Sequence, residues 1–258
     1  MLGALYFGVI LLACVFGAIV GLGGGIFIRP IFDSLGFHDM ANIQFFSSSA
    51  ILSMAVVSTY KKIKDGSEID KKKASLISLG SIIGGILGDL ILRQIMTRAE
   101  SDSRAQIIQA ISTVIVLGLS LLLTSKSYFR YEIKNKSYVF IFGIFLGTIA
   151  VFLGIGGGPM NVPIFMIFFG LSIKDAAAYS IVVIFFSHLS RIITIGFTTG
   201  YAVFDLQILI FVIPAALLGG FAGARFSKIL SDNTVKKLFV AAISAVIILN
   251  IYNALFVF

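Results

Sequence analysis

The stretch Gly21-Leu22-Gly23-Gly24-Gly25-Ile26-Phe27-Ile28-Arg29-Pro30 returns 133 residues later as Gly154-Ile155-Gly156-Gly157-Gly158-Pro159-Met160-Asn161-Val162-Pro163. Each copy interrupts a long apolar run, 3–32 and 137–170. Glycine and proline together break helices. Broken backbone at membrane depth is tolerated only where it is buried in protein or lines a polar cavity. The repetition continues downstream. Gly66-Ser67-Glu68-Ile69-Asp70 parallels Gly200-Tyr201-Ala202-Val203-Phe204-Asp205, and Ile83-Gly84-Gly85-Ile86-Leu87-Gly88 parallels Leu218-Gly219-Gly220-Phe221-Ala222-Gly223. Conserved order at a near-constant offset marks an internal repeat. We read two halves, about 1–130 and 131–258, forming one membrane domain, 1–258.

Composition agrees with a membrane setting. Of 258 residues, 58% are hydrophobic and 12% charged, about half the charged share of a soluble domain. Mean hydropathy is +1.04. Further apolar runs cover 40–60, 74–96, 105–125, 176–197, 205–227 and 234–257, each close to the roughly 20 residues a spanning helix needs. A secreted disulfide scaffold, a disordered chain, a DNA-binding domain and a soluble enzyme are excluded. The runs do not alternate every second residue, which argues against a β-barrel. Cys14 is the single cysteine, so no internal disulfide and no cysteine metal site is expected. Residues 1–21 lack the basic start of a cleaved signal peptide and are read as mature structure.

The net charge of +8 is assigned to membrane orientation rather than to nucleic acid, because cytoplasmic loops carry an excess of Lys and Arg. If each glycine-containing run crossed once, the cations would divide ten against eight between the two sides. If each is a re-entrant hairpin turning at the midplane, one side collects Lys61, Lys62, Lys64, Lys71, Lys72, Lys73, Lys126, Arg130, Lys134, Lys136, Lys174, Arg225, Lys228, Lys236 and Lys237. The other side keeps Arg93, Arg98 and Arg104, and Arg29 and Arg191 stay inside the membrane. The split of fifteen to three selects the second topology. The expected fold is therefore an all-α polytopic membrane protein of two inverted repeats. Each repeat holds a glycine-broken re-entrant hairpin and three transmembrane helices, and both termini lie outside.

Broken helices at matching places in two repeats point to a transporter's binding site. The N–H groups and positive dipole end of a half-helix attract anions, and Pro159 suits a first helical position. Candidate ligand contacts are thus Gly23, Gly24, Gly25, Gly156, Gly157 and Gly158, although small residues also serve close helix packing. Arg29, within an apolar run, is a functional candidate by its cost. Its alternative is an i,i+4 pair with Asp33. Asn161, beside the equivalent position Val162, offers a neutral amide. His188 and Arg191 share a helix face, and Arg191 either meets the ligand or snorkels to the interface. Gln44, Ser47, Ser48 and Ser49 either line the cavity or bond their own helix backbone. Asp89 is read as a partner of Arg93 in preference to a proton carrier. No metalloprotease helix, nucleophile triad or paired carboxylate is present, so no catalytic residue, metal or cofactor is expected.

The doubled Gly-x-Gly-Gly-Gly-x-x-x-x-Pro motif, at Gly21–Pro30 and Gly154–Pro163, with the later Gly-x-x-x-Asp and Gly-Gly-x-x-Gly elements, resembles the TauE/SafE sulfite exporter family over nearly the whole chain. The resemblance implies transport, usually export, of sulfur-containing anions such as sulfite, sulfoacetate or other organosulfonates. This sequence departs from such proteins in carrying Arg29 where an apolar residue is frequent, and in having few Thr-Ser pairs after the motifs. The expected function is a multi-pass carrier that moves a small sulfur-containing oxyanion outward across the cytoplasmic (inner) membrane, binding it at the midplane between the hairpins. A passive anion channel or a carrier of a non-sulfur anion is the alternative. The expected partners are the small anionic substrate and the lipid bilayer, with no nucleic acid. A homodimer is left open.

Overall fold

A computed structural model describes residues 2–64, 70–99, 101–125, 131–133 and 135–257. Residues 66–69 of the first Gly-x-x-x-Asp element, and Lys126, Arg130 and Lys134, lie outside them. The described residues form ten α-helices and no strand: α1 (Leu2–Val20), α2 (Gly25–Leu35), α3 (Met40–Lys64), α4 (Lys71–Arg98), α5 (Asp102–Ser125), α6 (Lys136–Leu153), α7 (Gly158–Phe168), α8 (Ile173–Thr198), α9 (Leu209–Ile229) and α10 (Asp232–Phe256). A 3-10 turn at Leu206–Ile208 leads into α9.

Local chemistry explains the boundaries. Asp70, Asn135, Ser172 and Ser231 each cap the helix that follows by accepting from its first backbone N–H groups, which would otherwise be unpaired. Gly36 and Gly154 end α2 and α6 in the left-handed conformation, the usual C-terminal role of glycine. Pro159 stands in the first turn of α7, as the sequence predicts.

Among the described residues, eight helices are long and apolar enough to cross a membrane: α1, α3, α4, α5, α6, α8, the segment Leu206–Ile229 that includes α9, and α10. The remaining two, α2 and α7, have 11 residues each, about 16 Å at roughly 1.5 Å per residue. Leu12, Ile115, Ile210 and Leu255 face outward, as side chains in contact with lipid should.

Each glycine break turns the chain back toward its origin. The Tyr6 ring near the start of α1 stacks on Phe32 near the end of α2, with centroids 4.0 Å apart. The Tyr6 hydroxyl lies 2.7 Å from Nδ1 of His38. In the second half, the N–H groups of Tyr131 and Ile133, just before α6, donate to the carbonyls of Ile167 and Phe168 at the end of α7, at 2.6 and 3.0 Å. The arms are unequal, however. α1 and α6, with 19 and 18 residues, are by themselves about as long as the hydrocarbon core is thick. The long arms thus exceed the midplane depth expected of them, and the short arms α2 and α7 match it.

Helices pair across the two halves. α1 packs on α9 as α6 packs on α4, α3 on α9 as α8 on α4, and α2 on α10 as α7 on α5, while α3 and α8 pack on each other. The Gly-Gly-x-x-Gly elements form the closest of these seams. Gly84 and Gly88 lie against the backbone of α6 at Ile144 and Thr148, and Gly219 and Gly223 against that of α1 at Leu11 and Val15. Absence of a side chain lets the backbones approach, which is how helices associate in lipid. One apolar cluster contains Ile19, Leu22 and Ile26 together with Phe165, Tyr179 and Val183, so the two halves share a core.

Candidate functional site

The two glycine turns meet. Gly23 and Gly156 have φ of +76° and +88°, values that residues with a Cβ rarely adopt. An added Cβ on Gly23 would stand 3.5 Å from the Gly156 Cα. The loops therefore pack backbone on backbone, and the glycine-rich residues 21–25 and 154–158 are all buried. Gly25 leaves no room for a Cβ beside Ile51 and Ser47, nor Gly158 beside Leu22 and Gly21. The motif glycines thus supply both turn geometry and close packing. The caps of α2 and α7, Gly24 and Gly157, offer no side-chain hydrogen bond to the helix starts.

The end of α6 has three carbonyls that cannot be paired within the helix, and three other helices supply donors. Gln109 of α5 donates to Phe152 (2.5 Å), Arg29 of α2 to Leu153 (2.6 Å) and Ser47 of α3 to Gly154 (2.9 Å). In the first half, Ser227 donates to Ile19 (3.0 Å) and Ser180 to Gly21 (2.7 Å). Arg29 is 3% exposed, and its Nε stands 3.5 Å from Asp33. Of its two readings, the i,i+4 ion pair is present; the helix-end contact with Leu153 joins residues on different helices and leaves no mark in either one.

Arg191 lies at the centre of a second polar group. It is 4% exposed, so it does not snorkel. Its Nη1 donates to Gln44 Oε1 (3.0 Å) and to Ser48 Oγ (2.9 Å). Its Nε is 3.3 Å from one oxygen of Asp89. The other Asp89 oxygen takes Nε of Arg93 at 2.6 Å, the partner the sequence suggested, and Arg93 reaches Thr199 at 2.5 Å. Gln44 donates onward to Gln109 (3.0 Å) and its amide lies against Gly154. A continuous polar chain therefore runs from Thr199 to the α6 end. A cavity of about 360 Å³ opens on this chain at Gln44, Asp89, Arg93 and Arg191, with Leu92, Met96, Ile195 and Phe204 as apolar walls.

His188 and Asn161 are fully buried, and neither ring nitrogen of His188 nor either amide atom of Asn161 has a hydrogen-bond partner. Buried polar groups are usually paired, so these two have donors and acceptors to spare. Ser49 does not join the polar chain; its carbonyl accepts from Ser53 within α3. Sequence reasoning missed Gln109 and Thr199, and paired Asp89 only with Arg93. No periodicity in one helix marks a partner that lies on another. No group of three His, Cys, Asp or Glu side chains able to hold a metal occurs among the described residues.

The family model for "Sulfite exporter TauE/SafE" matches residues 6–250. A protein of Magnetospirillum gryphiswaldense named "Probable membrane transporter protein MamO" is 27% identical over 113 residues, 42% of this chain and 18% of that protein. No solved structure matches.

Proposed function

This chain belongs to the TauE/SafE sulfite exporter family, and from that premise we propose that it carries a small sulfur-containing oxyanion outward across the cytoplasmic membrane. Sulfite, sulfoacetate and other organosulfonates form the substrate class. The observation that carries the reading is the meeting of Gly23 with Gly156, together with a buried arginine, Arg191, that Gln44 links to Gly154. Two glycine-broken helices at one place are the usual architecture of a carrier's substrate site.

In this conformation the two turns are closed on each other, so the substrate binds when they part. The free polar atoms of His188 and Asn161 become its hydrogen-bonding partners, and the uncapped starts of α2 and α7 attract its charge. The repeats are inverted and rock about the Gly23–Gly156 contact. The cross-half pairing of helices and the return of both hairpins support this topology. The lysine-rich ends then face the cytoplasm. An inside-negative potential expels a monovalent anion with about 2.3 kcal/mol per 100 mV, so no nucleotide is needed.

The test is counterflow of labelled sulfite and labelled sulfoacetate in proteoliposomes, with sulfate, phosphate, acetate and chloride as competitors. Saturable exchange confined to sulfite and sulfonates is expected. A steady chloride or acetate current without exchange would overturn the carrier in favour of a channel. Saturable exchange of a non-sulfur anion alone would move the substrate class.

A further inference from the structure

In the cavity between the ends of α3, α4 and α8, one carboxylate holds two guanidinium groups. Asp89 is 2% exposed; one of its oxygens accepts a hydrogen bond from Arg93 and the other stands 3.3 Å from Nε of Arg191, an ion pair without hydrogen-bond geometry. The group carries one net positive charge beside apolar walls, where electrostatic attraction is stronger than in water. A carboxylate set between two arginines presents anionic oxygens to both, as a small sulfonate or sulfite would with two of its three. Arg191 is held in place independently of Asp89, by Gln44 and Ser48. It therefore keeps its position when its anionic partner changes.

We infer that this cavity is an outer oxyanion subsite and that Asp89 is its built-in competitor. When no ligand anion is present, Asp89 neutralises Arg191. An oxyanion passing from the glycine turns into the cavity takes Arg191, and Asp89 retreats to Arg93 one turn along α4. Because breaking a buried ion pair is costly, the exchange keeps the affinity moderate, and release follows as Asp89 returns. Arg191 is one side chain, Gln44, away from Gly154 and the glycine turns that the ligand leaves. The inference rests on the transport reading and adds to it two residues, Asp89 and Arg93, which act by setting the charge on Arg191.

The competitor role gives substitutions of opposite sign, which a structural role for either residue would not. Sulfoacetate binding to the detergent-purified full chain is measured by calorimetry, alongside counterflow. Asp89→Asn removes the competing charge and is expected to bind about tenfold tighter and to exchange more slowly. Arg93→Met leaves Asp89 nowhere else to go and is expected to bind about tenfold more weakly. Unchanged or weaker binding by Asp89→Asn, or tighter binding by Arg93→Met, overturns the inference while leaving the carrier intact. If Asp89→Asn does not fold, Arg93→Met decides alone against Arg93→Lys, which keeps the cation and is expected to bind like the parent protein. If the parent protein binds neither sulfoacetate nor sulfite, the sulfur-oxyanion reading fails and takes this inference with it.

Discussion

The Ser47 hydroxyl donates to the Gly154 carbonyl across 2.9 Å, and the bond has a twin. Ser180 donates to Gly21 across 2.7 Å. Both partners are displaced by the 133 positions that separate the two glycine clusters. Each hairpin turn is thus held by a serine from the other half, with the same geometry twice. The contact of Gly23 with Gly156 sits between the two bonds in the sequence of both halves.

Removing one serine should leave a buried carbonyl without its donor. Ser47→Ala and Ser180→Ala are each expected to lower stability by about 1–3 kcal/mol, read as thermal unfolding in detergent. The two effects should be similar. A large loss from one and none from the other would show that the two bonds do not have matching roles.

The glycines of the turns should differ from those elsewhere. Gly158→Ala would place a Cβ on the backbone of Leu22, whereas Gly8 has nothing within 4 Å of a new Cβ. Gly158→Ala is expected to prevent accumulation of folded protein, and Gly8→Ala to be nearly silent. Size-exclusion profiles and yields would separate them.

Arg29 holds the end of α6 and pairs with Asp33. Arg29→Ala leaves Asp33 buried without its cation, which costs about 3–5 kcal/mol. The double variant Arg29→Met with Asp33→Asn should recover much of that loss. If Arg29→Ala instead folds as well as the parent but loses sulfoacetate binding, the arginine belongs to the ligand site and not to the scaffold.

The membrane topology has a direct test in a Cys14→Ser background, since Cys14 is buried and the sole cysteine. Cysteines placed at Phe37 and Val203, both exposed, should react with an impermeant maleimide from one side. Cysteines placed at Tyr131 and Asn233, also exposed, should react from the other. Labelling of Phe37→Cys and Asn233→Cys from the same side would refute the inverted arrangement.

Cys14 itself should resist maleimide in the folded parent protein and react fully in dodecyl sulfate. Its sulfur lies under Gly24, so early labelling would report separation of the first hairpin's arms.

Much of the fold was legible because lipid imposes a simple rule. A chain that must satisfy its own backbone across about 30 Å of hydrocarbon writes its spans as long apolar runs. The glycine clusters stand out against them because nothing else breaks such a run so cheaply. The lengths of the hairpin arms were less legible. An apolar run of 30 residues does not say where it bends, and capping by Gly154 at the end of α6 is a matter of backbone angle.

The sequence by itself determined the class of protein, the doubled broken helix, the pairing of Asp89 with Arg93 and the family resemblance. All of these rest on composition, on repetition or on neighbours within a turn. Only the tertiary structure decided what the buried cations do. Arg29 caps a helix that begins 107 residues later, and Arg191 shares Asp89 with Arg93 across two helices. The physical reason is that a charge inside a membrane protein must find a partner wherever packing brings one. That partner is chosen by which helices touch, a property of the assembled bundle.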